Sequence, residues 1–219
     1  MKINIAIDGP SAAGKSSIAD ILASRLSYVH LDTGAMYRAV AYYLIQNGIK
    51  LDDEEKIVAA LKDISLKING DGRVYINGED VTDMLRTESI SLAASDVSKY
   101  DAVRKYLVSL QQEMAASKGY ILDGRDIGTV VLKNAEVKIY LVASSEERAK
   151  RRVSQNAAKG IICDYDKVLD DIKKRDYQDM HRAISPLTKA QDAIEIDTSD
   201  LTIDEVVDYI LQIVNSKLA

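Results

Sequence analysis

The sequence contains neither phenylalanine nor tryptophan, so its 12 tyrosines must supply all the aromatic packing. It has a single cysteine, Cys163, which excludes a disulfide framework and a cysteine-based zinc site within one chain. Proline occurs only at positions 10 and 186, and glycine and serine are not concentrated anywhere. We therefore expect no flexible linker between independent domains.

Long apolar runs and a strong positive charge are also missing. The apolar runs fall far short of a membrane span, and the N-terminus lacks a signal-peptide layout, so we expect a soluble, cytoplasmic protein without a membrane partner. The net charge of −5 argues against a general surface for binding nucleic acid. With 219 residues, 47% of them hydrophobic, the chain can bury one substantial core.

One segment, residues 9–16, reads Gly-Pro-Ser-Ala-Ala-Gly-Lys-Ser and fits the pattern G-x-x-x-x-G-K-[ST] at every fixed position. The apolar run before it predicts a buried strand, and the apolar residues after it recur at helical spacing. In this context, backbone amides and the positive end of the helix bind phosphates. The alternative is a glycine turn with only a structural role.

The motif predicts specific roles for its residues. Lys15 would reach the β- and γ-phosphates of ATP, and Ser16 would ligate Mg²⁺. The whole segment and the following serine are candidate ATP contacts: Gly9, Pro10, Ser11, Ala12, Ala13, Gly14, Lys15, Ser16 and Ser17.

A second motif, Asp32-Thr33-Gly34-Ala35-Met36-Tyr37-Arg38, follows the strand predicted at 28–31. Asp32 or Thr33 can cap the next helix, and a cap alone would account for both. Tyr37 and Arg38, however, lie near a helix N-terminus, which favours anions.

A third motif, Asp123-Gly124-Arg125-Asp126-Ile127-Gly128, follows a buried strand predicted at 119–122. An acid at the carboxyl end of a parallel strand lies where open α/β sheets bind ligands. Asp123 is therefore placed to belong to the Mg²⁺ shell, through water. A purely structural turn is the alternative.

Several polar residues on predicted helices have two interpretations. Arg148 and Arg152 lie one turn apart, and Arg175, Asp179 and Arg182 share one face of a helix over 164–182. Both sets could bind anions, which the phosphate loop in the same chain favours, or they could be solvated helix faces or surface ion pairs. Ser95 and Arg104 lie on a helical stretch over 87–117, broken near Tyr100, and the segment 154–163 predicts a short loop.

Five strands, near residues 3–7, 28–31, 119–122, 137–142 and 193–197, alternate with helices. This order predicts an α/β fold with a parallel sheet flanked by helices on both faces. Residues 64–82 alternate between apolar and polar and contain Asp-Gly and Asn-Gly turns, which predicts an inserted antiparallel meander of about three strands.

The D-[ST]-G-A-x-Y-R and D-G-R-D motifs, with the phosphate loop, resemble those of bacterial cytidylate kinases, and the resemblance runs over nearly the full length. It implies the P-loop NTPase fold of a nucleoside monophosphate kinase as one domain. The core would comprise 1–32, 118–153 and 183–219, the monophosphate-binding lobe about 33–117, and a short lid without zinc about 154–163. We also expect a monomer.

The resemblance further implies Mg²⁺-dependent transfer of phosphate from ATP to CMP or dCMP. It places Thr33, Ser95, Arg104 and Asp126 at the cytosine edge, where many relatives have serine instead of Thr33. The remaining implied CMP contacts are Arg175 and Asp179 at the ribose, Arg38, Arg125 and Arg182 at the phosphate, and Tyr37 and Asp123. Arg148 would contact ATP, and Lys15, Arg125, Arg152 and Arg182 would be catalytic.

Two other functions remain open at this stage. One is a kinase of the same architecture acting on UMP, AMP or shikimate. The other is a non-enzymatic switch that binds ATP or GTP. If GTP were the ligand, the switch would need an N-K-x-D element to read guanine, and the sequence contains none.

Overall fold

The computed structural model describes residues 2–158 and 160–218. Met1 and Ala219, in the predicted core, and Lys159, in the predicted lid, lie outside the described residues. The strands are β1 (Ile5–Asp8), β2 (Val29–Asp32), β3 (Leu66–Ile68), β4 (Val74–Ile76), β5 (Glu79–Asp80), β6 (Tyr120–Gly124), β7 (Val137–Val142) and β8 (Ile194–Asp197). The α-helices are α1 (Lys15–Leu26), α2 (Thr33–Gln46), α3 (Glu54–Ala60), α4 (Glu88–Val97), α5 (Asp101–Ala115), α6 (Ser145–Ala157), α7 (Tyr165–His181) and α8 (Ile203–Leu218).

A five-stranded parallel sheet has the order β2-β6-β1-β7-β8, which confirms the predicted α/β fold. The predicted limits of β7 are confirmed, and those of the other four strands differ by one or two residues, as in β1, which begins at Ile5 rather than residue 3. Asp8, the last residue of β1, lies opposite Gly124 on β6 and Tyr140 on β7. The carboxyl ends of β1 and β6 are therefore level, and the motifs that follow these two strands begin side by side.

The main core lies against this sheet. The central strands β1 and β7 are almost completely buried, as expected for a parallel sheet whose two faces are covered by helices. Ile5 and Ile7 of β1 are fully buried and belong to the same apolar cluster as Leu22 of α1 and Val207 of α8. At roughly 25 cal/mol per Å² of apolar area, this burial supplies the main driving force for folding.

The predicted meander is confirmed as a small antiparallel sheet with the order β3-β4-β5. Its two turns use residues that tolerate positive φ: Gly72 at +80°, Asn77 at +52° and Gly78 at +89°. The predicted break in the helical stretch over 87–117 is also confirmed, since α4 ends at Val97 and Tyr100 is the N-cap of α5.

The prediction of a loop over the whole of 154–163 is wrong for residues 154–157, which continue α6. The helix ends just before Gly160, whose φ of +74° suits a helix terminus. The amide of Ile161 then donates to the Asn156 carbonyl at 2.9 Å. This last turn is polar and largely exposed, so it carries no apolar periodicity from which a helix could be predicted.

The described chain divides into two compact units. The first comprises the residues up to Tyr28 and those from Lys118 onwards, and the second is Val29–Ser117. Within residues 2–158 and 160–218, no helix combines the length and apolarity needed to cross a membrane.

Candidate active site

The phosphate loop joins β1 to α1 as predicted. Gly9 and Gly14 have φ values of +152° and +91°, and Gly14 is the N-cap of the helix that begins at Lys15. A Cβ on Gly9 would collide with the backbone oxygen of Leu141 on β7, so a side chain cannot be accommodated there. The N-cap has no side chain to occupy the amides of the first helical turn, which are the groups that bind phosphate oxygens.

Lys15 folds back over the loop. Its Nζ donates hydrogen bonds to the carbonyl oxygens of Gly9 at 2.8 Å and Pro10 at 2.7 Å, and the residue is only 6% exposed. Burial, followed by repulsion from Arg125, lowers the pKa of Lys15 to about 7. A poorly hydrated ammonium group at this position would gain strongly from an approaching phosphate.

The two residues predicted at the magnesium site lie together. Ser16 Oγ donates a hydrogen bond to Asp123 Oδ2 at 2.9 Å, and Asp123 is buried on β6. Hydroxyl and carboxylate oxygens are the ligands that Mg²⁺ prefers, and the ion commonly takes only one or two of them from the protein beside substrate phosphates. The donor set therefore fits Mg²⁺ carried by a nucleotide.

Beyond β6, a cluster of alternating charges joins the third motif to α7. Arg125 Nε donates to Asp179 Oδ2 at 2.7 Å. Arg182 approaches Asp179 at 3.8 Å and Asp126 at 3.6 Å. Burial opposes the charge of Asp179, but Arg125, Arg182 and Arg175 outweigh it and hold the pKa of that carboxyl below its usual value. The first unit thus brings together two of the three arginines predicted to bind an acceptor phosphate, Arg125 and Arg182.

The same ion pair shifts the pKa of Arg125 in the opposite direction. Burial alone would lower its pKa, but the charge and hydrogen bond of Asp179 raise the pKa above its usual value. The guanidinium group is therefore permanently cationic and is held in place by a carboxylate, rather than mobile at the surface.

Arg148 lies beside the phosphate loop but faces the protein. Its guanidinium group donates to the carbonyls of Ala143 at 3.0 Å and Ser11 at 3.1 Å, and to Asp176 Oδ2 at 2.6 Å. The residue is buried, so this structure has Arg148 holding Ser11 in the loop, and its contact with ATP stays a prediction. Arg152, one turn along α6, and Arg175, on α7, are half-buried.

In the second unit, Asp32, one of the two predicted candidates, caps α2. Its Oδ1 accepts the amide of Ala35 at 3.0 Å, and its Oδ2 accepts Arg38 at 2.7 Å. A Cβ on Gly34 would lie 3.1 Å from the Arg38 guanidinium group, so glycine gives that group room to reach Asp32. Thr33, the first residue of α2, is buried.

Two further predicted residues of this unit contact each other. The Arg104 guanidinium carbon lies 5.6 Å from the centre of the Tyr37 ring, a cation–π distance. Arg104 is only 3% exposed, and its Nη1 donates to the Ser98 carbonyl at 3.4 Å. The Ser98 hydroxyl donates to the Ser95 carbonyl at 2.8 Å, so the two predicted base contacts, Ser95 and Arg104, belong to one connected group.

Sequence reasoning missed two buried carboxylates. Asp8 Oδ1 accepts the amide of Ile127 at 2.8 Å and Asp8 Oδ2 that of Gly128 at 2.7 Å. Burial raises the pKa of Asp8 to about 6, although those two hydrogen bonds lower it. Asp176 is the partner of Arg148. The available signal for Asp8 was an acid at the end of an otherwise apolar strand, directly before Gly9.

Comparisons with known proteins are consistent with this geometry. The family model described as cytidylate kinase matches residues 5–216. The cytidylate kinase of Bacillus licheniformis is 52% identical over 220 residues, which cover 99% of this chain and 97% of the relative. That of Caldicellulosiruptor bescii is 54% identical over 215 residues, which cover 97% and 95%.

Among solved structures, a gluconokinase from Sinorhizobium meliloti 1021 aligns with a TM-score of 0.51 at 13% identity, covering 96% of this chain and 90% of that one. At that identity the likeness concerns the fold alone. The family model and the sequence relatives extend over almost the whole chain, and the chain therefore belongs to the cytidylate kinase family.

Proposed function

We propose that this chain transfers the γ-phosphoryl group of ATP to CMP, giving ADP and CDP, and that it also accepts dCMP. The observation that carries the proposal is the grouping of cations at the carboxyl ends of β1 and β6 in a member of the cytidylate kinase family. Lys15 lies on the phosphate loop after β1, and the Arg125–Asp179–Arg182 cluster follows β6.

The proposed transfer requires charge neutralisation and correct positioning of the two nucleotides. Donor and acceptor are both anions, so cations must offset their repulsion and align them. We assign Lys15 and Arg152 to the transferring group, and Arg125 and Arg182 to the acceptor phosphate. No general base is needed, because the attacking phosphate oxygen is already largely ionised near neutral pH.

Ser16 and Asp123 would hold Mg²⁺ beside the phosphates, Asp123 through water. Mg²⁺, when bound, neutralises part of the phosphate charge. The protein's contribution is to hold the Ser16 hydroxyl and the Asp123 carboxylate 2.9 Å apart at the start of α1 and on β6.

Acceptor recognition is assigned to residues of both units. Thr33, Ser95 and Arg104 of the second unit and Asp126 of the first would read cytosine, and Arg175 and Asp179 would bind the ribose. Tyr37, Arg38 and Asp123 complete the assigned CMP contacts. ATP would contact residues 9–17 and Arg148.

The wider assignments follow from the proposed reaction. We place the protein in pyrimidine metabolism, in the cytoplasm, as a monomer without zinc or a nucleic-acid partner. Residues about 33–117 would act as the monophosphate-binding lobe and about 154–163 as a lid over the donor.

The deciding experiment is an ADP-release assay with Mg²⁺ and ATP and a panel of acceptors: CMP, dCMP, UMP, AMP and shikimate. We expect release to rise most with CMP and dCMP. A stronger response to another acceptor would assign the chain a different substrate. Nucleotide binding without stimulation by any acceptor would instead indicate a nucleotide switch.

A further inference from the structure

We propose that Asp8 is a positioning residue for the acceptor: its carboxylate anchors the turn that carries Arg125 and Asp126 to the end of β1. The proposal extends the function proposed above and relies on it for the roles of Arg125 and Asp126. Asp8 itself would touch neither nucleotide.

The anchor is a double hydrogen bond inside the protein. Each carboxylate oxygen of Asp8 accepts one backbone amide, from Ile127 at 2.8 Å and from Gly128 at 2.7 Å. Asp8 is only 4% exposed, so water cannot easily replace either bond. Hydrogen bonds to an ionised acceptor are about twice as strong as those between neutral groups.

The anchored amides begin a short π-helical turn, Ile127–Val131, directly after Asp126. Arg125 and Asp126 therefore lie between two fixed points. On one side, Gly124 is in register with Asp8 in the sheet, and on the other, Ile127 and Gly128 are bound to the Asp8 side chain. The Asp8 carboxylate thus sets the path of the two residues that carry the proposed acceptor contacts.

Gly128 supports the same interpretation independently. A Cβ at this position would lie 3.3 Å from Asp8 Oδ2 and 3.2 Å from Lys138 Cδ, so a side chain would force one of them to move. The close approach of this backbone to Asp8 therefore depends on a residue without a side chain.

The anchor requires a carboxylate rather than any polar group. Two oxygens accept two amides, whereas the side chain of asparagine presents one oxygen and one NH₂ group, which would face an amide donor. Asp8→Asn preserves the shape of the side chain and removes one of the two bonds.

The test compares Asp8→Asn with wild-type protein in steady-state assays that vary CMP and ATP separately. We expect KM for CMP to rise by about tenfold or more and KM for ATP to change by less than about twofold, since a small displacement of a binding group has large effects. The matched control is Asp53→Asn, because Asp53 also accepts a backbone amide, that of Lys56 at 3.1 Å, but on the exposed N-cap of α3.

A second readout needs no substrate. Amide hydrogen exchange should be faster at residues 125–131 in Asp8→Asn, with the rest of the chain close to wild type. Unchanged exchange there, or equal rises in KM for CMP and ATP, would overturn the proposal. If Asp8→Asn does not fold, Gly128→Ala takes its place and must give the same selective rise in KM for CMP, or the proposal fails.

The substrate-free measurement also separates this proposal from the proposed function. Wild-type protein that does not respond to CMP would overturn the kinase assignment and with it the role of the anchor in acceptor binding. Faster exchange at 125–131 in that case would still identify Asp8 as the anchor of the turn.

Discussion

Around the carboxyl ends of β1 and β6, the ionisable residues Lys15, Asp8, Asp123 and Asp126 of the first unit are almost completely buried, at 4–6% exposed. Charges removed from water interact strongly and need defined partners. Lys15 donates hydrogen bonds to loop carbonyls, Asp8 accepts hydrogen bonds from two amides, and Asp123 accepts one from the Ser16 hydroxyl. Replacing one of these residues should therefore affect binding and catalysis more than replacing an exposed charge.

Replacing Lys15 by alanine should reduce turnover by at least about 100-fold, because it removes the cation proposed to stabilise the transferring phosphate. The fold should survive, since removing a buried ammonium group also removes its desolvation cost. The measurement is kcat for CMP-dependent ADP release together with a circular dichroism spectrum. Lys56→Ala, at an exposed site, is the control. Turnover equal to wild type would remove Lys15 from the chemistry.

Asp8 should make stability depend on pH in a defined direction. Burial raises its pKa to about 6 in the folded protein, above the ordinary value of 3.8, so the stability associated with its protonated form is present below about pH 4 and is lost as pH rises through 6. The free energy of unfolding of wild type relative to Asp8→Asn should therefore fall by about 2 kcal/mol between pH 4.5 and 7.5. Urea unfolding of both proteins across this pH range measures the change. A difference in free energy of unfolding that does not vary with pH would contradict the prediction.

At the scale of elements, the site depends on how β1 meets its neighbours and α1. The glycine loop allows the chain to turn from a buried strand directly into a helix whose N-terminal amides remain available. Gly9 is the tightest point, because its α-carbon lies against the backbone of β7. Backbone geometry, rather than side-chain chemistry, therefore shapes the proposed phosphate-binding loop.

Gly9→Ala should accordingly destabilise the protein by about 3 kcal/mol or more, since both a positive φ and a collision with backbone must be relieved. Gly48→Ala is the matched control. Gly48 also has a positive φ, +66°, but a Cβ there would meet nothing within 4 Å, so we expect a loss of about 1 kcal/mol. Chemical denaturation measures both, and equal losses would show that the strand contact does not matter.

At the scale of the whole molecule, the chain forms two compact units, and the proposed acceptor contacts are divided between them. The first unit holds the phosphate loop and the arginine cluster. The second holds the Arg38–Asp32 ion pair and the Tyr37–Arg104 contact. We therefore expect CMP to contact residues of both units and ATP to contact mainly residues of the first.

Hydrogen exchange with and without ligands tests this division. A non-hydrolysable ATP analogue should slow exchange at residues 9–17, whereas CMP should slow it around 33–38, 95–104 and 123–126, because bound groups shield and stabilise the backbone they contact. Lys15→Ala serves as the control for the analogue. Protection by CMP confined to one unit would contradict the assignment of acceptor contacts to both.

Much of this protein was determined by local sequence. The phosphate loop, the alternation of strands and helices, the small antiparallel sheet and the cap at Asp32 could be predicted because each depends on neighbouring residues. The helical end of α6 could not, since its stability does not come from an apolar stripe that a sequence pattern would reveal.

Only the tertiary structure decided the partners of the buried charges. Asp8 binds amides about 120 positions along the chain, and Arg148 joins Ser11 to Asp176. A buried charge can be satisfied by any complementary group that packing brings within about 3 Å, and no spacing in the sequence specifies which one. Residue types alone therefore indicated phosphate chemistry, whereas the packing of the strands and helices determined which carboxylates hold the loop and the arginines in place.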